Sequence, residues 1–100
     1  MAIDLFCYVS CDRERTDTLR SELIKERTDL FAENFIISAV RDASPMHLEV
    51  AAEHGFSAIS FFLISLGNKG STGSIGFVSQ ALKSKFGPSI LILQENEHKL

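Results

Sequence analysis

The sequence lacks any apolar run long enough to cross a lipid bilayer. In its most hydrophobic segment, the apolar run extends only from Phe61 to Ile64, between Ser60 and Ser65. A transmembrane helix needs about 20 consecutive apolar residues. The first ten residues also lack the basic region and small-residue cleavage site of a signal peptide, so we expect them to begin the folded protein. The sequence therefore predicts neither a membrane span nor a membrane partner.

Cysteine and histidine are too few, and too widely spaced, for two common kinds of site. Cys7 and Cys11 would lie about 13 Å apart in an extended chain, which is too far for a disulfide. A structural zinc site needs four Cys or His ligands in closely spaced pairs, and no second pair accompanies these cysteines. We therefore expect a reduced, cytoplasmic protein that holds no metal and no other cofactor.

Basic residues, glycine and proline are also few. The 100 residues include 10 Lys or Arg against 13 Asp or Glu, for a formal net charge of −3. Proteins that bind nucleic acids neutralise phosphates with basic side chains, so this balance argues against a nucleic-acid partner. With 6 Gly, 2 Pro and 45% hydrophobic residues, the composition is typical of a packed globule. We predict one α/β domain over residues 1–100, ending in a polar tail at 95–100.

The hydrophobic pattern predicts four strands and three helices. Apolar, β-favouring runs predict strands at 3–9, 35–40, 58–66 and 90–93. Apolar residues spaced three, four and seven apart predict a first helix from about 13 to 32, and similar spacing predicts a third helix over 75–86. Between them, Ser44 and Pro45 begin a second helix of about ten residues, which Gly55 ends.

The resulting order, β-α-β-α-β-α-β, predicts an α/β fold with a single four-stranded sheet and three helices. Such alternation is typical of right-handed β-α-β crossovers. The third and fourth strands are apolar on both faces, which favours a three-layer arrangement with helices on each side of the sheet. The alternative is a two-layer ferredoxin-like sandwich with the short helix tucked into the middle connection.

Recognisable catalytic motifs are absent, and one glycine-rich turn is the candidate for a small ligand. The G-x-S-x-G pattern of serine hydrolases does not occur, and we do not expect an enzyme. Glycines at 67, 70, 73 and 76 fit neither the dinucleotide fingerprint nor the P-loop. A turn that leads into a helix can bind an anion. The residues that would do so here are Lys69, Gly70, Ser71, Thr72 and Gly73.

The predicted second helix carries two carboxylates of like charge. Glu49 and Glu53 are four residues apart, and a like-charge pair at this spacing costs roughly 0.2–0.5 kcal/mol. A protein can keep such a pair to contact a basic partner. An ordinary solvated helix face is the alternative interpretation.

Five segments that span most of the chain carry a family resemblance. They are Met1 to Tyr8, Arg41 to Ala43, Ala51 to Gly55, Ser60 to Leu63, and Ile92 to Glu97. In these segments the chain resembles the immunity proteins of bacterial contact-dependent growth inhibition (CDI) systems. The resemblance implies a small cytoplasmic protein that binds and neutralises the C-terminal domain of a cognate toxin, commonly a nuclease.

Two hypotheses for function follow. In the first, Asp42, Glu49 and Glu53 pair with lysines or arginines of the toxin and block entry of its substrate. In the second, the turn from Gly67 to Gly76 binds a nucleotide or another anionic ligand in a small regulatory domain. A homodimer joined through an exposed edge strand is compatible with either hypothesis.

Overall fold

The described part of the chain, residues 3–31, 35–66 and 75–100 of the computed structural model, folds around one antiparallel sheet. Its strands are β1 (Ile3–Val9), β2 (Phe35–Ile37), β3 (Arg41–Asp42), β4 (Ser60–Leu66), β5 (Ile90–Gln94) and β6 (His98–Lys99). The helices are α1 (Arg13–Glu26), α2 (Pro45–Glu53) and α3 (Ile75–Phe86), and a short 3-10 helix, Gly87–Ser89, leads into β5.

The first strand, β1, lies at the centre of the sheet. The strand order is β2-β4-β1-β5-β6, and β3 pairs with the same edge of β4 as β2 does. Because β1 is antiparallel to both β4 and β5, those two strands run parallel to each other on either side of it. In the same way, β1 and β2 flank β4. The connections through α1 and α3 therefore form two split β-α-β units, which is the ferredoxin-like arrangement.

The predicted fold, an α/β protein with a single four-stranded sheet and three helices in the order β-α-β-α-β-α-β, is wrong. The sheet has six strands among the described residues, and neighbouring strands are antiparallel. Two strands escaped prediction because β3 and β6 each consist of two exposed polar residues, which leave no hydrophobic pattern. The predicted parallel neighbours are separated by an inserted strand, which alternation along the sequence does not reveal.

Of the predicted strand at 35–40, only Phe35–Ile37 forms a strand, β2, and β3 begins just beyond the predicted range at Arg41. Between them, the Ser38 N–H donates to the Leu63 carbonyl at 2.8 Å, and the Leu63 N–H donates to Ser38 Oγ, also at 2.8 Å. The serine side chain replaces a backbone acceptor and so interrupts the ladder. Since β2 and β3 form an edge of the sheet, Ile36 is 73% exposed, whereas the apolar run predicted a buried strand.

The end of the first helix and the last six residues also differ from the prediction. The first helix ends at Glu26 because the Arg27 backbone leaves the helical region, with φ −125° and ψ 50°. Residues 95–100, expected to form a polar tail, instead form a turn and β6. Glu95 and Asn96 have positive φ, 54° and 61°, and they are the central residues of a turn that the Glu97 N–H closes on the Gln94 carbonyl at 3.1 Å, as in a type I′ turn.

Two hydrophobic clusters lie on opposite faces of the sheet, because alternate residues of a strand point to opposite sides. The α1/α3 face buries Leu5, Cys7, Val9, Leu23, Phe62, Ile64, Val78, Leu82, Phe86 and Ile92. The α2 face buries Tyr8, Ala51, Ala58, Phe61, Leu91 and Leu93. A buried hydrogen bond of 2.7 Å between Thr16 Oγ1 and Ser60 Oγ joins α1 to β4. The sheet is thus anchored from the α1/α3 face, which leaves the α2 face to carry the candidate site.

Candidate interaction surface

The second helix, α2, begins with a reciprocal cap. Ser44 Oγ accepts the His47 N–H at 3.3 Å, and His47 Nδ1 accepts the Ser44 N–H at 3.1 Å. This is a capping box in which His47 takes the place usually held by Glu or Gln. Pro45 suits the first helical position because its missing N–H has no partner there in any case. The cap fixes where α2 starts and how its side chains are oriented.

The inner side of α2 is attached to the sheet by an aromatic cluster. The His47 ring stacks on Phe61 with centroids 4.1 Å apart, and it meets Tyr8 edge-on at 5.9 Å. Burial, and to a smaller extent the charge of Arg41, lowers the pKa of His47. The neutral ring is therefore favoured, and only the neutral ring can accept the Ser44 N–H. The capping hydrogen bonds, the stack of His47 on Phe61 and the neutral state of His47 therefore all stabilise the same position of α2.

The outer side of α2 combines exposed apolar and acidic side chains. Met46 is 70% exposed and Leu48 is 46% exposed. Glu49 and Glu53 are exposed on the same helix, and neither forms an ion pair within the described residues. Met46 lies three residues from Glu49 and seven from Glu53, so these three share one side of the helix, while Leu48 is exposed on its other flank. This outer side of α2 is the candidate interaction surface.

The three acidic residues singled out from the sequence do not all lie together. Glu49 and Glu53 share the outer side of α2, as their spacing predicted. Asp42 is exposed on β3 and pairs with Ser60 of β4. Cross-strand partners point to the same face, and the Ser60 hydroxyl contacts Thr16 of α1. Asp42 therefore points to the α1/α3 face, away from the two glutamates.

The other candidate residues from the sequence belong to the glycine-rich turn and the cysteines. The anion-binding candidates Lys69, Gly70, Ser71, Thr72 and Gly73 lie outside the described residues, and that alternative stays a prediction. Cys7 is fully buried, and burial raises the pKa of its thiol far above the usual range. In the described ranges, no group of three or more His, Cys, Asp or Glu side chains is placed to hold a metal ion. No described helix is long and apolar enough to cross a membrane.

Sequence reasoning missed the role of His47. Ser44 and His47 have the spacing of a capping box, which was a usable signal. A histidine is an unusual member of that box, however, and its stack on Phe61 depends on tertiary structure. Tyr8 was recognised as a strand residue, but its place beside α2 follows from the central position of β1, which the sequence did not reveal.

Comparison with known proteins adds an independent line of evidence. The family model described as CDI System Immunity Component matches residues 1–99. Immunity protein CdiI-2 of Burkholderia pseudomallei (strain 1026b) is 48% identical over 100 residues, which cover 99% of each protein. A chain of the solved CdiA-CT/CdiI toxin and immunity complex from Burkholderia pseudomallei superposes with a TM-score of 0.92 and 47% identity, over 97% of this chain and 95% of that chain. The resemblance noted in the sequence is thereby confirmed, and the chain belongs to the CDI system immunity component family.

Proposed function

We propose that this protein neutralises a cognate CDI toxin by binding the C-terminal domain of the toxin and covering its active site, and that the toxin is a nuclease. The observation that carries the proposal is the match, over nearly the whole chain, to the immunity family and to a chain of a solved toxin and immunity complex. In this proposal the protein acts in the cytoplasm by binding alone, without catalysis and without a cofactor.

The outer side of α2 supports a binding role on physical grounds. Glu49 and Glu53 have no basic partner within the described residues, so their charges remain available to a partner. Met46, on the same side of the helix as both glutamates, would bury apolar surface on contact. Carboxylates next to exposed apolar groups suit a partner that has lysines or arginines around a hydrophobic contact.

The nuclease assignment is what the family resemblance implies, and the charge of this protein supports it. A nuclease holds the phosphates of its substrate with basic side chains. A protein of net charge −3 that places two unpaired carboxylates on one helix is complementary to such a site. Electrostatic attraction of this kind mainly raises the association rate, which matters when the partner is toxic before it is bound.

The first experiment measures binding to the toxin domain encoded immediately upstream. The change is Glu49→Lys, and the matched control is Glu14→Lys, because Glu14 is also exposed but lies on α1, across the sheet. We expect Glu49→Lys to raise Kd by about tenfold, mainly through slower association, and Glu14→Lys to raise it by less than about threefold. The difference should shrink at high salt. Failure of the wild-type protein to bind at low salt would contradict the proposed function.

The second experiment separates occlusion from nuclease identity. A catalytically inactive toxin variant is loaded with fluorescent RNA or DNA and titrated with this protein. Release of the nucleic acid at one equivalent is the result expected if the active site is covered. A stable ternary complex would exclude occlusion, and failure of the active toxin to cleave either RNA or DNA would exclude the nuclease assignment. Neither of these outcomes would change the conclusion of the first experiment on whether the protein binds the toxin.

A further inference from the structure

One end of the α2 face of the sheet is only partly covered. The helix packs on the Tyr8 and Phe61 end of that face. Toward the other end, Phe6 pairs with Leu63, and both are partly exposed. Beyond them on the same face, Ile36 of the edge strand β2 is 73% exposed. We call Phe6, Leu63 and Ile36 the distal sheet patch.

The distal sheet patch adjoins the part of the sheet on which α2 packs. His47 of α2 stacks on Phe61 at 4.1 Å, and Phe61 lies 6.1 Å from Phe6, centroid to centroid. The nine residues of α2 are too few for a stable interface, which buries about 800 Å² and uses about 20–30 residues on each partner. A partner bound to α2 must therefore cover neighbouring surface, and the distal sheet patch is the adjoining apolar surface on the same face.

Carboxylates held in fixed positions border the distal sheet patch. Asp4 lies on the same face as Phe6, and its Oδ1 accepts the Ser65 hydroxyl at 2.6 Å. Glu95 Oε1 accepts the Asp4 N–H at 3.0 Å, while the Glu95 N–H donates to the Asp4 carbonyl at 2.8 Å. Because both side chains are already ordered, a basic partner would pair with them at little cost in conformational entropy.

We propose that the toxin interface extends from α2 across the distal sheet patch, where an apolar side chain of the toxin packs on Phe6, Leu63 and Ile36, and basic side chains pair with Asp4 and Glu95. This inference rests on the proposed function. A second copy of this chain is the less suitable occupant. In a two-fold dimer both copies bring the same patch to the interface, so the carboxylates of both copies would be present and the patch itself offers no basic side chain to pair with them.

The test substitutes Ile36, whose exposure makes it tolerant of change. Ile36→Lys removes the apolar contact and adds a charge that repels a basic partner. Phe77→Lys is the matched control, because Phe77 is 65% exposed but lies on α3, which packs on the opposite face of the sheet. We expect Ile36→Lys to raise Kd for the toxin domain by about tenfold or more, and Phe77→Lys by less than about twofold. Unchanged melting temperatures would show that both variants fold.

A measurement on the unsubstituted complex keeps the inference independent of any variant. Hydroxyl-radical footprinting with and without toxin should show protection of Ile36, Phe6 and Met46, and none of Phe77. If the wild-type protein binds the toxin and Met46 alone is protected, the extension to the distal sheet patch is wrong while the proposed function stands. Concentration-dependent protection of Ile36 in the free protein would assign the patch to a second copy and overturn the inference. If the wild-type protein does not bind toxin, the proposed function itself fails.

Discussion

Replacement of His47 by alanine tests how α2 is held on the sheet. The substitution removes the acceptor for the Ser44 N–H and the ring stacked on Phe61. Loss of a capping interaction costs about 1 kcal/mol, and loss of an aromatic pair costs about 1 kcal/mol beyond its burial. We therefore expect His47→Ala to lower the free energy of unfolding by about 2 kcal/mol and the melting temperature by about 10 °C.

The same substitution should change how stability depends on pH. The pKa of His47 is lowered from 6.5, first by burial and second by Arg41. As the pH falls, the unfolded chain takes up the proton before the folded protein does. The contribution of His47 is thus complete above pH 6.5 and is lost as the pH falls below that value. The wild-type protein should lose stability below pH 6.5 relative to His47→Ala, so the difference between them should narrow.

Urea denaturation at pH 7.5 and pH 5, followed by circular dichroism, measures both effects. His54→Ala is the control, because the described contacts of His54 at the end of α2 are made by its backbone, and we expect it to cost less than about 0.5 kcal/mol. His47→Gln keeps a side-chain acceptor for the cap but loses the ring, so it should cost about 1 kcal/mol without pH dependence. Two results would refute this account of α2. One is an equal loss of unfolding free energy for His47→Ala and His54→Ala, and the other is a difference between the wild-type protein and His47→Ala that is the same at both pH values.

Two further predictions concern the core. Phe62 is fully buried on β4, so Phe62→Ala should lower the free energy of unfolding by about 3–5 kcal/mol in guanidinium denaturation; a loss below about 1 kcal/mol would contradict the assignment of Phe62 to the core. Thr16→Val removes the 2.7 Å hydrogen bond to Ser60, whose hydroxyl keeps the Cys11 carbonyl as acceptor at 2.8 Å, so we expect a loss of about 1 kcal/mol. The double variant Thr16→Val with Ser60→Ala should then cost less than the sum of the single changes.

Much of the secondary structure was predictable from apolar spacing, but the sheet was not. The strands β1, β4 and β5 and the helix α3 are rich in buried apolar residues, and their pattern marks them in the sequence. The strands β3 and β6 consist of Arg41–Asp42 and His98–Lys99, and they exist because a neighbouring strand presents free backbone groups. No side-chain pattern encodes that requirement, so polar edge strands escape sequence reasoning.

Only those features of the candidate site that depend on residues close together in the sequence were predictable. The spacing of Glu49 and Glu53 places them on one side of any helix, wherever that helix packs. Asp42 is two residues before Ser44, yet the register of β3 on β4 turns it to the other face. An apolar residue is also a weak guide to burial: Ile36 belongs to an apolar run, but its strand lies at the sheet edge. Strand register and strand neighbours decide both outcomes, and both arise only in the folded chain.

The antiparallel order that the sequence did not reveal is also what creates the distal sheet patch. Phe6, Ile36 and Leu63 come from three separate strands, and they become neighbours because β4 is inserted between β1 and β2. A sheet that is buried on its α1/α3 face holds these side chains in place, and the cap and stack at His47 hold α2 beside them. A partner would then meet a surface that is ordered before contact, so little binding energy is lost to ordering. Loosening α2 should therefore weaken toxin binding even where no toxin contact is removed, and His47→Ala should raise the toxin Kd mainly through faster dissociation.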